Sequence, residues 1–99
     1  MKKIEICSLR ELEKSKIKVY ENLLLIKINN QIFCIERYCT HAYGDLSEGI
    51  INEETKTVTC PIHFSTFDIK TGNPITKPAE RPLKTYKVKI ENNKVYVEV

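Results

Sequence analysis

Two short arms constrain this chain more than any other feature: Cys39-Thr40-His41 and Cys60-Pro61-Ile62-His63, with eighteen residues between them. They hold both of its histidines and two of its four cysteines. Donors this close in sequence project from one loop tip, so two adjacent loops would gather four soft-to-borderline donors around one site. A single zinc held by Cys39, His41, Cys60 and His63 is one reading. The common zinc patterns, however, place two cysteines in one arm and two histidines in the other, or use C-x-x-C knuckles. Here each arm is mixed. Four cysteines also permit disulfides, but the opening MKKIEICSLRELEKSK lacks the apolar run of a secretory signal, which favours metal ligation and a cytoplasmic protein. No stretch approaches the ~18 apolar residues of a membrane span.

The rest of the chain reads as β structure around these arms. Ninety-nine residues suit one domain, expected here over 1–99. Ser8 and Glu11 fit a capping box ahead of one short helix at about 9–14. IKVY at 17–20, LLLIKI at 23–28 and QIFCIE at 31–36 read as strands, the last two joined at Asn29-Asn30. Near the C-terminus Tyr86, Val88 and Ile90 alternate with lysines, Asn92-Asn93 turns, and Val95, Val97 and Val99 alternate on the return. TVTC at 57–60 and FDI at 67–69 add short strands, and Thr71-Gly72-Asn73-Pro74 a turn. TKPAERPL at 76–83 carries Pro78 and Pro82 and is expected as an ordered surface loop. Cys7 and Cys34 lie in apolar strand contexts and read as small buried residues. The whole suggests an all-β sandwich or barrel with one short helix.

Mixed arms make sense if the site holds two irons, the thiolates on one and the imidazoles on the other, as when two histidines replace two cysteines in a [2Fe-2S] cluster. In those arms the sequence resembles the Rieske family, specifically its small soluble ferredoxins, and the likeness extends over roughly residues 17–99. Leu46-Ser47-x-Gly49, Phe67-Asp68, Thr71-Gly72, Pro78-Ala79 and Tyr86-x-Val88 extend the likeness. The resemblance implies an antiparallel base with a cluster-binding subdomain inserted at about 37–70, and one [2Fe-2S] cluster per chain. Cys39 and Cys60 would hold its inner iron, and His41 and His63 its outer iron, with ring edges toward solvent. Such a cluster is neutral when oxidised, so it accepts an electron more readily than an all-cysteine one, in a range of roughly −150 to +300 mV.

The same resemblance locates departures. Gly44 and Ile62 stand where high-potential members carry a bracing disulfide. Phe67 stands where those members have a Tyr hydroxyl, and Ser65 where a hydroxyl can reach a bridging sulfide, which together suggest a low-to-intermediate potential. Phe64 replaces a glycine whose missing Cβ would let the backbone approach the cluster. The Pro78 loop would cover the cluster's third side.

The implied function is one-electron carriage from a reductase to an acceptor, either a terminal oxygenase or a nitrite-reductase-like assembly with a small Rieske subunit. The alternative is a non-redox module stapled by zinc. Formal charge is +3 at residues 1–35, −4 at 36–68 and +4 at 69–99. An acidic segment around the arms argues against a nucleic-acid partner and favours a basic patch on a redox partner.

Overall fold

The computed structural model describes residues 2–40, 43–62, 64–77 and 79–99. His41, His63 and Pro78 therefore lie outside the described residues. Nine strands alternate with one helix and one 3-10 turn: β1 Lys3–Ser8, α1 Leu9–Ser15, β2 Ile17–Tyr20, β3 Leu23–Ile28, β4 Gln31–Glu36, a 3-10 turn Leu46–Glu48, β5 Ile50–Asn52, β6 Thr57–Thr59, β7 Thr66–Asp68, β8 Thr85–Glu91 and β9 Lys94–Glu98. Antiparallel pairing orders six of them β1-β9-β8-β4-β3-β2, and a second sheet runs β5-β6-β7. The all-β class and the single short helix expected from sequence are those observed.

The apolar run of β3 shows how one sheet serves two cores. Side chains alternate across a strand. Leu24, Ile26 and Ile28 face one way, joining Ile35, Leu46, Val58, Phe67, Ile69, Ala79 and Leu83 between the two sheets. Leu23 and Leu25 face the other way, toward Leu12 of the helix and Val95 and Val97 of β9. A strand buried on both faces has no polar alternation, which is why LLLIKI is almost continuously apolar.

Turn chemistry follows the sequence closely. Asn92 and Asn93 both have positive φ, as a two-residue hairpin demands, and Asn29 does so in the β3–β4 turn. The capping box is only half formed. Ser8 Oγ accepts from the Glu11 N–H at 3.1 Å, but the Glu11 carboxylate turns instead to Lys18 Nζ. The expected FDI strand is shifted one residue earlier, to Thr66–Asp68, because Thr66 pairs with Thr59 while Ile69 bonds back to the Lys56 carbonyl. The short β5 and the 3-10 turn carried too few residues to be read from periodicity. No helix among the described residues is long and apolar enough to cross a membrane.

Candidate metal centre

The two arms leave the sheets at neighbouring points. Cys39 follows β4 and Cys60 follows β6, and both side chains are almost fully buried, at 1% and 0% exposure. Each begins a loop built on the same backbone plan. In the first, the Tyr43 N–H bonds to the Cys39 carbonyl and the Cys39 N–H to the Gly44 carbonyl, both at 2.9 Å. In the second, the Phe64 N–H bonds to the Cys60 carbonyl at 3.0 Å and the Cys60 N–H to the Ser65 carbonyl at 2.8 Å. Tyr43 and Phe64 then occupy equivalent left-handed positions, with φ of 56° and 60°. The described residues of the two loops share these hydrogen bonds and this left-handed position, although the histidines fall two residues after one cysteine and three after the other.

That equivalence supplies a second reason for the glycine expected at position 64. A left-handed backbone costs an L-residue roughly 1–2 kcal/mol, which glycine avoids. Here two aromatics accept that cost, and both rings face solvent, Tyr43 at 72% exposure and Phe64 at 67%. Ile62 stands beside them at 51%. Phe64 thus belongs to an exposed apolar rim with Tyr43 and Ile62.

The loops are pressed together at Gly44. A Cβ there would lie 2.7 Å from Cys60 Sγ and 2.6 Å from Ile62 Cγ1. Only a glycine at 44 lets the second loop's thiol come so close. The stems are also stapled. Arg37 donates from Nε and Nη2 to Asp45 Oδ2 at 3.1 and 2.8 Å, and Asp45 Oδ1 accepts from the Ser47 N–H at 3.0 Å and its hydroxyl at 2.6 Å. The Arg37 hydrogen bonds, followed by those from Ser47, hold the Asp45 carboxyl down at about 2. Threonine hydroxyls of Thr59 and Thr66, 3.0 Å apart, close the second stem.

Residues 76–83 are more than a surface loop. Ala79 and Leu83 are buried in the core between the sheets. The Ala79 N–H donates to Ser65 Oγ at 3.1 Å, Thr40 Oγ1 donates to the Arg81 carbonyl at 2.7 Å, and Arg81 Nη2 donates to the Thr40 carbonyl at 3.0 Å. The segment is tied to both arms at once. Gly72 anchors its far end: its φ is +81°, and a Cβ would meet the Leu83 carbonyl oxygen at 2.2 Å.

The donor set suits an iron–sulfur group. Both thiols are buried in one apolar cluster, and Cys60 Sγ lies against Gly44 in a space that a Cβ there would fill. Cys7 and Cys34 behave differently. Burial pushes the Cys34 thiol up to about 12 and the Cys7 thiol upward, so both stay protonated in the second core, as small apolar residues. None of the described cysteines is in a disulfide. Sequence reasoning missed Thr40 and Arg81, which nothing local marks.

The charges of the acidic segment fall at different places in the fold. Asp45 is engaged by Arg37, and Glu53 and Glu54 sit in the β5–β6 turn. That turn lies beside the β3–β4 turn, where Lys56 Nζ reaches Gln31 Oε1. Three residues of β6 at ~3.3 Å each put it about 10 Å from Cys60. Glu48 is exposed at the end of the 3-10 turn and Glu36 lies beside Cys39, so the segment's negative charge is divided between the first arm and the β5–β6 turn.

Comparison with known proteins agrees with this arrangement. A sequence model of the Rieske [2Fe-2S] domain matches residues 2–87. The 3-phenylpropionate/cinnamic acid dioxygenase ferredoxin subunit of Photorhabdus laumondii is 30% identical over the whole chain and 96% of its own length. Among solved structures, the Sphingomonas yanoikuyae B1 ferredoxin superposes with a TM-score of 0.86 at 26% identity, over 99% of each chain. A ferredoxin solved in complex with the oxygenase of carbazole 1,9a-dioxygenase gives 0.84 at 26% identity, over 96% of this chain and 91% of that one.

Proposed function

The chain belongs to the Rieske [2Fe-2S] domain family, and on that premise we propose that it is a one-electron carrier, receiving electrons from a reductase and delivering them to an oxygenase. The observation that supports this most directly is the contact of the two loops at Gly44, whose carbonyl accepts from the Cys39 N–H and whose Cβ position lies 2.7 Å from Cys60 Sγ. In this reading Cys39 and Cys60 hold one iron, His41 and His63 hold the other, and the whole of 1–99 is one domain whose cluster-binding part spans about 37–70. The chain works in the cytoplasm. The dioxygenase ferredoxin subunits among its relatives favour an oxygenase over a nitrite-reductase-like acceptor.

When bound, the cluster supplies a centre that gains and loses one electron at a net charge between zero and −1. The protein's contribution is placement. Arg37, Asp45 and Ser47 fix the first stem, and the β6–β7 ladder fixes the second. Leu46, Val58 and Phe67 keep the thiols dry from below. Ser65, fully buried, accepts from the Ala79 N–H, so its own hydroxyl proton would be free to hydrogen-bond a sulfide of the bound cluster. Phe67 offers no hydroxyl, in keeping with a low-to-intermediate potential.

The experiment is an EPR spectrum of the dithionite-reduced protein with iron and acid-labile sulfide counted on the same sample. Two irons and two sulfides per chain, with a rhombic signal of lower average g than all-cysteine clusters, are expected. One zinc and no sulfide would mean a structural staple.

A further inference from the structure

A pocket of about 510 Å³ opens beside Cys39, between the end of β4, the first loop and the segment that follows Ala79. Its wall carries two cationic side chains, Arg81 and Lys84, with Asn22, Tyr38 and Tyr43 around them. Glu36 is the carboxylate among its lining residues, and its Oε1 already accepts from the Lys84 N–H at 2.6 Å. Arg81 is held at its backbone carbonyl by the Thr40 hydroxyl and at one terminal nitrogen by the Thr40 carbonyl, which leaves most of a guanidinium that carries five N–H donors. A cation tethered in this way presents a fork suited to a carboxylate without further ordering of its side chain.

The surroundings determine what sort of carboxylate. The Tyr43–Ile62–Phe64 rim borders this pocket through Tyr43 and carries no charge. Of the segment's other acidic residues, Asp45 is paired at the first stem, Glu48 is exposed at the end of the 3-10 turn, Glu53 and Glu54 lie at the β5–β6 turn, and Asp68 accepts from the Lys70 N–H in the turn after β7. A positive pocket against an apolar rim is complementary to apolar protein surface bearing an acidic side chain. We propose that this pocket receives an aspartate or glutamate side chain of the redox partner while Tyr43, Ile62 and Phe64 rest on the apolar surface around it. This rests on the electron-carrier reading and gives the partner a charge opposite to the one that segment composition suggests.

Two measurements test it, on the cluster-bearing protein whose EPR signal has first been verified. In stopped flow, the reduced protein is oxidised by ferricyanide, an anion, or by tris(phenanthroline)cobalt(III), a cation, over a series of ionic strengths. The ferricyanide rate should fall with salt, and Arg81→Gln should lower it by roughly threefold while Arg81→Lys largely retains it. Equal loss in both variants would make Arg81 a purely structural clamp and overturn the proposal, as would an unchanged rate in Arg81→Gln. Independently of electron transfer, phenylglyoxal labelling of Arg81, read by mass spectrometry, should be slowed by succinate but not by chloride at equal ionic strength. No protection by succinate would also overturn the proposal. A missing EPR signal would instead defeat the carrier reading, and succinate protection would still report on the pocket.

Discussion

A Cβ built on Gly44 lies 3.5 Å from the Cβ of Ile62, at the short end of the roughly 3.5–4.5 Å that a disulfide spans. The double variant Gly44→Cys/Ile62→Cys should therefore close a bond between the two loops without moving either stem. It would close a loop of roughly 19 residues, for which the chain-entropy relation gives about 3 kcal/mol at 25 °C. Against that stands the loss of Ile62, half exposed, whose remaining burial is worth about 1 kcal/mol. The Cβ at position 44 also approaches Cys60 Sγ, so that side chain must shift, which takes a further share. A net gain of about 1–2 kcal/mol remains, or roughly 5–15 °C in melting temperature for a domain of this size. Thermal melts of the oxidised double variant, both single variants and the parent chain, with thiols counted by mass spectrometry, decide the matter. Two unpaired thiols in the folded double variant, or a closed bond that melts no higher than the parent, would refute the geometric argument.

Replacing Ser65 by Ala removes a buried hydroxyl and leaves the Ala79 N–H without its acceptor. The expected results are a loss of about 1–3 kcal/mol in urea unfolding and a lower reduction potential by voltammetry. Asp45 is held at about 2, so its contribution is fully present above the ordinary aspartate range near 3.8 and is lost as pH falls toward 2. Partial exposure screens it to about 1 kcal/mol; urea midpoints between pH 5 and 3 should fall in the parent and fall less in Asp45→Asn. Gly72→Ala forces a left-handed alanine against the Leu83 carbonyl and should cost about 2 kcal/mol or more in thermal unfolding.

Much of this protein follows from local chemistry. Period-two alternation in Tyr86–Ile90 and Val95–Val99, asparagine pairs at the turns, and a cysteine and histidine in each arm are encoded within a few residues of one another. Those signals were enough for the all-β class and both hairpins. They were not enough for the half-formed capping box, because the Glu11 carboxylate finds a better partner in Lys18, seven residues away, than in its own helix start.

Other features depend on closure of the chain over long separations. The equivalence of Tyr43 and Phe64 emerges only when both loops adopt one hydrogen-bonding plan. The Arg81–Thr40 clamp joins residues 41 apart in sequence, and no local pattern can anticipate which residues two loops will share. Charge is the clearest case. By itself the sequence determined that residues 36–68 are acidic, since formal charge needs no coordinates. Tertiary structure alone decided where that charge goes, carrying Glu53 and Glu54 away along β6, spending Asp45 on Arg37, and bringing Arg81 and Lys84 from the far end of the chain to the first arm. Electrostatic recognition depends on distance in space, and the fold sets that distance.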